Sequence, residues 1–183
     1  WEPYETQLVM ASLNAGDVFL DVGANIGYFT VLAAHIVSKG VSGEGGQSGR
    51  VFAFEPNAPN CALLLRSARL NQLESVIELR ESALSNAAGD GVLYLSEDNL
   101  GDHQVYDSGE ARQQQTSVFE NGSDYLRERT NRLSLIKIDT QGSEYQVVEG
   151  LMPLLQSLDA KPRMLIELTP YSLQAAGSSG RAL

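Results

Sequence analysis

The chain has 183 residues, 43% of them hydrophobic, which is enough apolar material for one α/β domain with a sizeable core. Its 13 Lys and Arg against 23 Asp and Glu give a formal net charge of −10, which argues against a large nucleic-acid interface because phosphate contacts need clustered basic side chains. The single cysteine, Cys61, excludes an intrachain disulfide and a cysteine metal cluster, and it fits a cytoplasmic location. No apolar run approaches about 18 residues, so we expect no membrane span, and no ligand spacing calls for a metal.

The opening of the chain predicts a helix and then a strand, a tight turn and a second helix. Residues 1–15 form the predicted lead-in helical segment, and residues 16–183 form the predicted single domain. Residues 18–22 are short, apolar and β-branched, as in a buried parallel strand, and residues 26–37 follow with a helical pattern. Gly23 and Gly27 allow a sharp turn that presents free helix N–H groups to a ligand.

The glycine spacing in this turn distinguishes two classes of cofactor. A dinucleotide fingerprint would need glycine at positions 25 and 28 after Gly23, where the chain has Asn25 and Tyr28, so a nicotinamide oxidoreductase is disfavoured. The pattern Asp21-x-Gly23-x-Asn25-x-Gly27 resembles the first motif of class I methyltransferases that use S-adenosylmethionine (SAM). A glycine-rich turn that binds no ligand remains the alternative.

Acids end several of the predicted strands. Glu55 ends the strand at 50–55, Asp139 ends the strand at 133–139, and Glu167 lies close to the end of the strand at 162–168. Ligands of open α/β sheets bind outside the carboxyl ends of the strands, so these acids and Asp21 are expected to face one crevice. There Glu55 is placed to accept two ribose hydroxyls. The alternatives are an acid stabilised by the dipole of the following helix and an acid paired with a neighbour such as Lys137.

The segments after the third strand (76–80) are less regular. Ser82 and Ala83 lie in a predicted loop, where small residues leave room for a flat adenine ring. Extra strands are predicted at 91–95 and, at a sheet edge, at 116–119, and Ser123 is predicted to cap a helix at 124–129. His103 lies in a polar loop that is long enough to cover the crevice, together with Asp102. His103 is therefore a candidate base, although a hydrogen-bonded histidine without chemistry is equally compatible with the sequence.

Five segments carry a family resemblance: DVGANIGYFT (21–30), VFAFEP (51–56), ALS (83–85), IKIDTQGSE (136–144) and LIE (165–167). In order and spacing they look like the successive motifs of the FkbM family of SAM-dependent methyltransferases. The resemblance implies an open, mostly parallel, twisted α/β sheet with helices on both faces, the Rossmann-like class I fold. Only residues 171–183 follow the fifth strand, so strands six and seven of that fold are expected to be missing from a C-terminally truncated domain.

The same resemblance assigns the cofactor residues. It implies that the methionine part of SAM lies on the first motif, the ribose and adenine side on the second, and the adenine on the third. The residues are Asp21, Gly23, Asn25 and Gly27 for the first, Glu55 and Pro56 for the second, and Ser82 and Ala83 for the third, with Asp139 beside the methyl group. Gln141 departs from the family pattern, which usually has an acid there.

The resemblance also implies a reaction, which is methyl transfer to a hydroxyl oxygen of a sugar, small-molecule or natural-product acceptor. SAM is already activated, so alignment of the acceptor and a base for its proton supply much of the catalysis. Asp139, His103 and Glu144 are the candidates for catalytic residues, and Glu144 is expected to begin a helix that Gly150 and Pro153 punctuate. An RNA methyltransferase, disfavoured by the charge, and a SAM-binding module without catalysis remain alternatives.

We expect the five predicted parallel strands, numbered along the chain, to lie side by side in the sheet in the order 3-2-1-4-5.

Overall fold

The computed structural model describes residues 2–39, 49–96 and 103–182 of the chain. In chain order the elements are α1 (Pro3–Ser12), β1 (Val18–Val22), α2 (Tyr28–Val37), β2 (Arg50–Phe54), α3 (Ala58–Leu70), β3 (Ile77–Arg80), β4 (Ala83–Ser85), β5 (Gly89–Leu95), β6 (Gln113–Asn121), α4 (Gly122–Arg127), β7 (Leu135–Ile138), α5 (Glu144–Ser157), β8 (Arg163–Ile166) and α6 (Pro170–Ala175). Within these ranges no strand follows β8, and no helix is both long and apolar enough to cross a membrane.

A five-stranded parallel sheet in the order β3-β2-β1-β7-β8 forms the centre of the fold. This confirms the predicted α/β fold class and the predicted order 3-2-1-4-5. Because every strand runs in the same direction, all the carboxyl ends lie at one edge of the sheet. The acids at 55, 139 and 167 directly follow β2, β7 and β8, so the sheet brings them to that edge.

Helices cover both faces of this sheet, as the near-continuous apolar strands require. Consecutive side chains of a strand point to opposite faces of the sheet. The side chains of Phe19 and Asp21 on β1 therefore point to one face, and that of Leu20 points to the other. The Phe19 side packs against α1 and α2 through a cluster that includes Val9, Phe29, Ala33, Val37, Val51 and Leu135. The Leu20 side packs against α4 and α5 through Phe52, Leu126, Ile136, Val147 and Leu151, among others.

A second, three-stranded sheet in the order β4-β6-β5 corrects two expectations. The segment at 83–85, predicted as a loop, forms β4 and pairs in parallel with β6. The strand predicted at 116–119 is the central strand β6, longer than expected, and not an edge strand, because β5 pairs with it along its other side. Its first residues are glutamines, so the apolar alternation that marks a strand is missing there.

The cap of α4 also differs from the prediction. Asn121 caps this helix, since its side-chain oxygen accepts hydrogen bonds from the N–H groups of Ser123 and Asp124 at 3.0 and 3.2 Å. Ser123 was the expected cap, but it already lies inside the helix and its hydroxyl points toward α5. An asparagine and a serine are both good caps, so the sequence alone does not choose between them.

The Ser123 hydroxyl instead inserts into α5. It donates to the carbonyl oxygen of Gly150 at 2.7 Å and accepts from the N–H of Leu154 at 3.0 Å, two groups that are ladder partners in a regular helix. Pro153 lies between them and lacks an N–H, which is the usual cause of a helix break. The helix was expected to be punctuated at Gly150 and Pro153, yet it continues to Ser157, and the bridging hydroxyl satisfies both backbone groups.

We predict that Ser123→Ala lowers the free energy of unfolding by about 1–3 kcal/mol, because it leaves a buried N–H and a buried C=O without this partner. Ser157→Ala is the matched control, since its hydroxyl donates to the Leu154 carbonyl at 2.7 Å only at the half-buried end of the helix. Chemical denaturation of both variants measures the difference. Equal stabilities of the two variants would contradict the bridging role of Ser123.

Candidate functional site

A cleft opens at the carboxyl edge of the parallel sheet. Its floor comes from the loops after β1, β2 and β7, and the segment after residue 102 closes one side. The cleft brings together these predicted site residues: Gly23, Asn25, Glu55, Pro56, Ala83, His103 and Asp139. Asp21, Gly27, Ser82 and Glu144 are not part of its lining and lie behind its walls. Asp102 lies outside the described residues.

The glycine turn after β1 has no room for a side chain. Gly23 has a φ of +77°, and a Cβ there would lie 1.8 Å from the carbonyl oxygen of Asp139. Gly27, with a φ of +90°, faces α3, where a Cβ would lie 2.4 Å from Leu64. The first glycine therefore lets the turn lie directly against the loop after β7, and the second lets it pack on α3.

Glu55 joins the first two loops of the cleft. One carboxylate oxygen, Oε2, accepts from the N–H of Asn25 at 2.8 Å, and Oε1 accepts from the N–H of Asn57 at 2.9 Å and the side-chain amide of Asn60 at 3.4 Å. Only 4% of the residue is exposed, and this burial raises the pKa of its carboxyl group despite the hydrogen bonds. Asn57 is the N-cap of α3, so the helix-terminus interpretation of Glu55 also holds.

Asp21 lies on the α2 side of β1 and is fully buried. Its Oδ2 accepts from the Thr30 hydroxyl at 2.6 Å, while Oδ1 has no hydrogen-bond partner in the described part of the chain. Burial raises the pKa of this carboxyl group, and the nearby Lys137 opposes the shift. The Ser82 hydroxyl is likewise buried without a partner among the described residues.

Asp139 projects into the cleft from the end of β7, with 20% of its side chain exposed. Two side chains hold its carboxylate: Lys137 Nζ donates to Oδ2 at 3.2 Å, and Gln141 Nε2 donates to Oδ1 at 2.8 Å. The departure from the family pattern at position 141 thus has a local explanation, because an amide donates a hydrogen bond to Asp139 where an ionised acid cannot.

Glu144, the third candidate base, is 1% exposed and organises the turn after β7. Its Oε1 accepts from the N–H of Thr140 at 3.1 Å, the hydroxyl of Thr140 at 3.1 Å and the N–H of Gly142 at 3.0 Å. Its other oxygen is buried without a hydrogen-bond partner within the described ranges. This geometry makes Glu144 a support for the Asp139 turn at the start of α5.

His103 lines the cleft opposite the sheet. Its Nδ1 accepts the N–H of Ser96 at 3.1 Å, which assigns the neutral imidazole proton to Nε2. In this form the ring donates a hydrogen bond from Nε2. To accept a proton as a base, the ring would have to give up the hydrogen bond from Ser96.

The sequence interpretation did not assign Asn60 and Gln141 to the site. Asn60 lines the cleft from the first turn of α3 beside Glu55, and Gln141 lies in the turn after β7. The spacing of each from a strand-end acid was the available signal: both come shortly after such an acid, in the loops that form the crevice. A group of three or more His, Cys, Asp or Glu side chains able to hold a metal is absent from the described residues, and the expectation of no metal stays a prediction.

Comparison with protein families gives a match over nearly the whole chain. A family model described as the methyltransferase FkbM domain matches residues 21–178. The chain belongs to the FkbM methyltransferase family. This confirms the resemblance found in the sequence motifs, and the family and fold are those of SAM-dependent methyltransferases. A search of curated proteins finds no match.

Solved structures with the same fold include three informative ones. Methyltransferase FkbM from Methylobacillus flagellatus KT aligns with a TM-score of 0.58 and 17% identity over 87% of this chain and 34% of that one. A SAM-dependent O-methyltransferase from Thermotoga maritima aligns with a TM-score of 0.54 and 14% identity over 94% of this chain and 47% of that one. An rRNA methylase from Streptococcus thermophilus aligns with a TM-score of 0.51 and 10% identity over 88% of this chain and 67% of that one. The chain therefore spans about a third to a half of the first two proteins, and at these identities the likeness shows the fold alone.

Cys61 lies on α3, next to Glu55, in this FkbM domain. The thiol is buried and donates to the backbone carbonyl of Glu55 at 3.1 Å, and burial, with the Glu55 carboxylate, raises its pKa to about 12. We predict that the folded protein resists alkylation by iodoacetamide at mildly alkaline pH, because the thiolate is the reactive form. Mass spectrometry measures the labelling, with guanidinium-unfolded protein as the control that reacts. Fast labelling of the folded protein would contradict this.

Proposed function

We propose that this FkbM domain transfers a methyl group from SAM to a hydroxyl oxygen of a small-molecule or glycan acceptor. The observation that carries the proposal is the convergence of Glu55, Asp139 and the Gly23 turn on one cleft at the carboxyl edge of the sheet. Acids suit a cationic methyl donor, and no Lys or Arg is among the described residues that line the cleft. Since the chain spans only part of its structural relatives, the acceptor is inferred from the site.

The residues of the cleft fit SAM. Gly23 and Asn25 line the cleft, Glu55 offers carboxylate oxygens at the end of β2, and the Ser82 hydroxyl is buried without a described partner next to Ala83. SAM, when bound, supplies a methyl group activated by a positively charged sulfur. Glu55 would hold the ribose hydroxyls, Pro56 and Ala83 the adenine, and Asn25 the methionine part.

Asp139 is the group we assign to the acceptor proton. It is the partly exposed carboxylate of the cleft, and its two side-chain partners fix its orientation. Glu144 is buried, and one of its oxygens accepts hydrogen bonds from three donors of the turn. We therefore propose that Glu144 supports the turn that carries Asp139. His103 lines the opposite side of the cleft, and we assign it a contact with the bound acceptor.

An RNA methyltransferase is the second candidate, since an rRNA methylase is among the proteins of similar fold. The net charge of −10 and the lack of basic side chains in the described cleft lining favour the small acceptor. A screen with methyl-labelled SAM against hydroxylated sugars, phenolic and polyketide-like compounds and structured RNA tests the two. Label on a hydroxyl compound supports the proposal. Label on RNA, or binding of SAM with no transfer to any acceptor, would overturn it.

We predict that Glu55→Ala weakens binding of S-adenosylhomocysteine (SAH) by about 10- to 150-fold, because hydrogen bonds to a charged group contribute about 1.5–3 kcal/mol. Glu149→Ala is the matched control: its carboxylate accepts from the Asn86 side chain at 2.6 Å on the surface, away from the cleft. Titration calorimetry measures both. Equal affinities of the two variants would remove Glu55 from the cofactor site.

The roles of Asp139 and His103 separate once an acceptor is found. We predict that Asp139→Asn lowers the transfer rate by about 10²- to 10⁴-fold, the usual contribution of a general base, whereas His103→Ala lowers it less and keeps the pH profile of the parent. The pH dependence of the rate under saturating SAM measures this. If the His103 variant lost a limb of the profile, His103 would be the base after all.

A further inference from the structure

A buried lysine lies among the acids behind the cleft. Lys137 is 5% exposed, and its ammonium lies 5.0 Å from the centre of the Phe29 ring on α2. It is the register partner of Asp21 in the pairing of β1 with β7, so both side chains point to the same face of the sheet. Its Nζ donates to Asp139 Oδ2 at 3.2 Å.

Acids from four segments lie around this lysine, and α2 contributes the Phe29 ring. Asp21 comes from β1, Asp139 from the end of β7, Glu167 from the end of β8, and Glu2 from the start of α1. Glu2, Lys137 and Asp139 also line a small hollow on the far side of the Gly23 turn from the cleft. Asp139 borders both spaces, so its carboxylate is held from behind by Lys137 and faces the cleft in front.

The charges of this cluster depend on the lysine. Burial lowers the pKa of Lys137, but Asp21 and Asp139 outweigh burial and raise it, so the group is charged at neutral pH. Burial raises the pKa of Glu2, Asp21 and Glu167, and in each case Lys137 lowers it again. Without the ammonium, the pKa values of these acids would be raised further, because the acids repel one another in a water-poor site.

We propose that Lys137 is a positioning residue of the methyl-transfer site, which holds the Asp139 carboxylate in the cleft through the hydrogen bond from its Nζ to Oδ2. This rests on the proposed function for its consequence, but the geometry it describes exists without a ligand. The role is indirect: Lys137 acts through Asp139 and does not touch the acceptor. An uncharged side chain of similar length removes the hydrogen bond from Lys137 to Asp139 and leaves the one from Gln141.

Two conservative changes separate charge from packing. Lys137→Met keeps the long apolar stem and removes the charge, and Lys137→Arg keeps the charge. Lys161→Met is the control, because this lysine donates to the carbonyl oxygens of Leu155, Gln156 and Leu158 at the end of α5 and contacts no group of the cluster. If Lys137→Met fails to fold, the double variant Asp21→Asn with Lys137→Met removes the buried carboxylate together with its counter-ion and is measured in its place.

The first measurement needs no ligand. The side-chain amide of Gln141 donates to Asp139 Oδ1, so its NMR resonances report the position of that carboxylate. We expect Lys137→Met, or the double variant, to shift these resonances and to speed their exchange with water, while Lys137→Arg and Lys161→Met leave them close to the parent. Unchanged Gln141 resonances in the Lys137→Met protein would overturn the proposal, whatever the protein binds.

The second measurement is SAH affinity as a function of pH. We expect Lys137→Met to weaken binding about tenfold at neutral pH and to move the acid limb of the profile toward neutrality, and Lys137→Arg to restore most of both. A parent protein that does not bind SAH would contradict the proposed function and leave the NMR result to decide on Lys137. Parent-like affinity and profile in Lys137→Met would overturn the positioning role, as would an equal change in Lys161→Met.

Discussion

The contact between Gly23 and the carbonyl oxygen of Asp139 is the constraint on which the site depends. It lets the loop after β1 lie against the loop after β7 with no side chain between them. Glu55 then joins the second loop to the first through the N–H of Asn25. Three separate segments become one rigid rim because of these two contacts. Any residue larger than glycine at position 23 would separate the strand ends and widen the cleft, in addition to adopting an unfavourable φ.

Much of this FkbM domain could be predicted from local patterns. The apolar strands that end in acids predicted the strand order and the edge of the sheet at which the site lies, because parallel strands share their carboxyl edge. The destinations of individual polar side chains could not be predicted, since they depend on neighbours distant in sequence. The Glu144 carboxylate accepts hydrogen bonds from its own loop, and Nδ1 of His103 accepts a hydrogen bond from the N–H of Ser96. The start of β6 is too polar to be predicted as a central strand. Its pairing with β4 and β5, rather than its own composition, stabilises it.

The buried acids reduce the stability of the domain for the benefit of its site. The folded-state pKa values of Asp21 and Glu55 lie above their ordinary values, so each favours folding at low pH, and this contribution is lost as the pH rises through the raised pKa. At neutral pH both groups therefore oppose folding to some extent. A cationic ligand bound in the cleft would offset this cost, and ligand binding would then be linked to the stability of the fold.

The bond between the Tyr106 hydroxyl and the carbonyl oxygen of Gln141, at 3.0 Å, joins the segment that carries His103 to the turn after β7. The roof of the cleft and its floor are therefore mechanically connected. Because this bond adds to the backbone pairing of Gln104 with Tyr94, a displacement of the segment would also move the turn that carries Gln141.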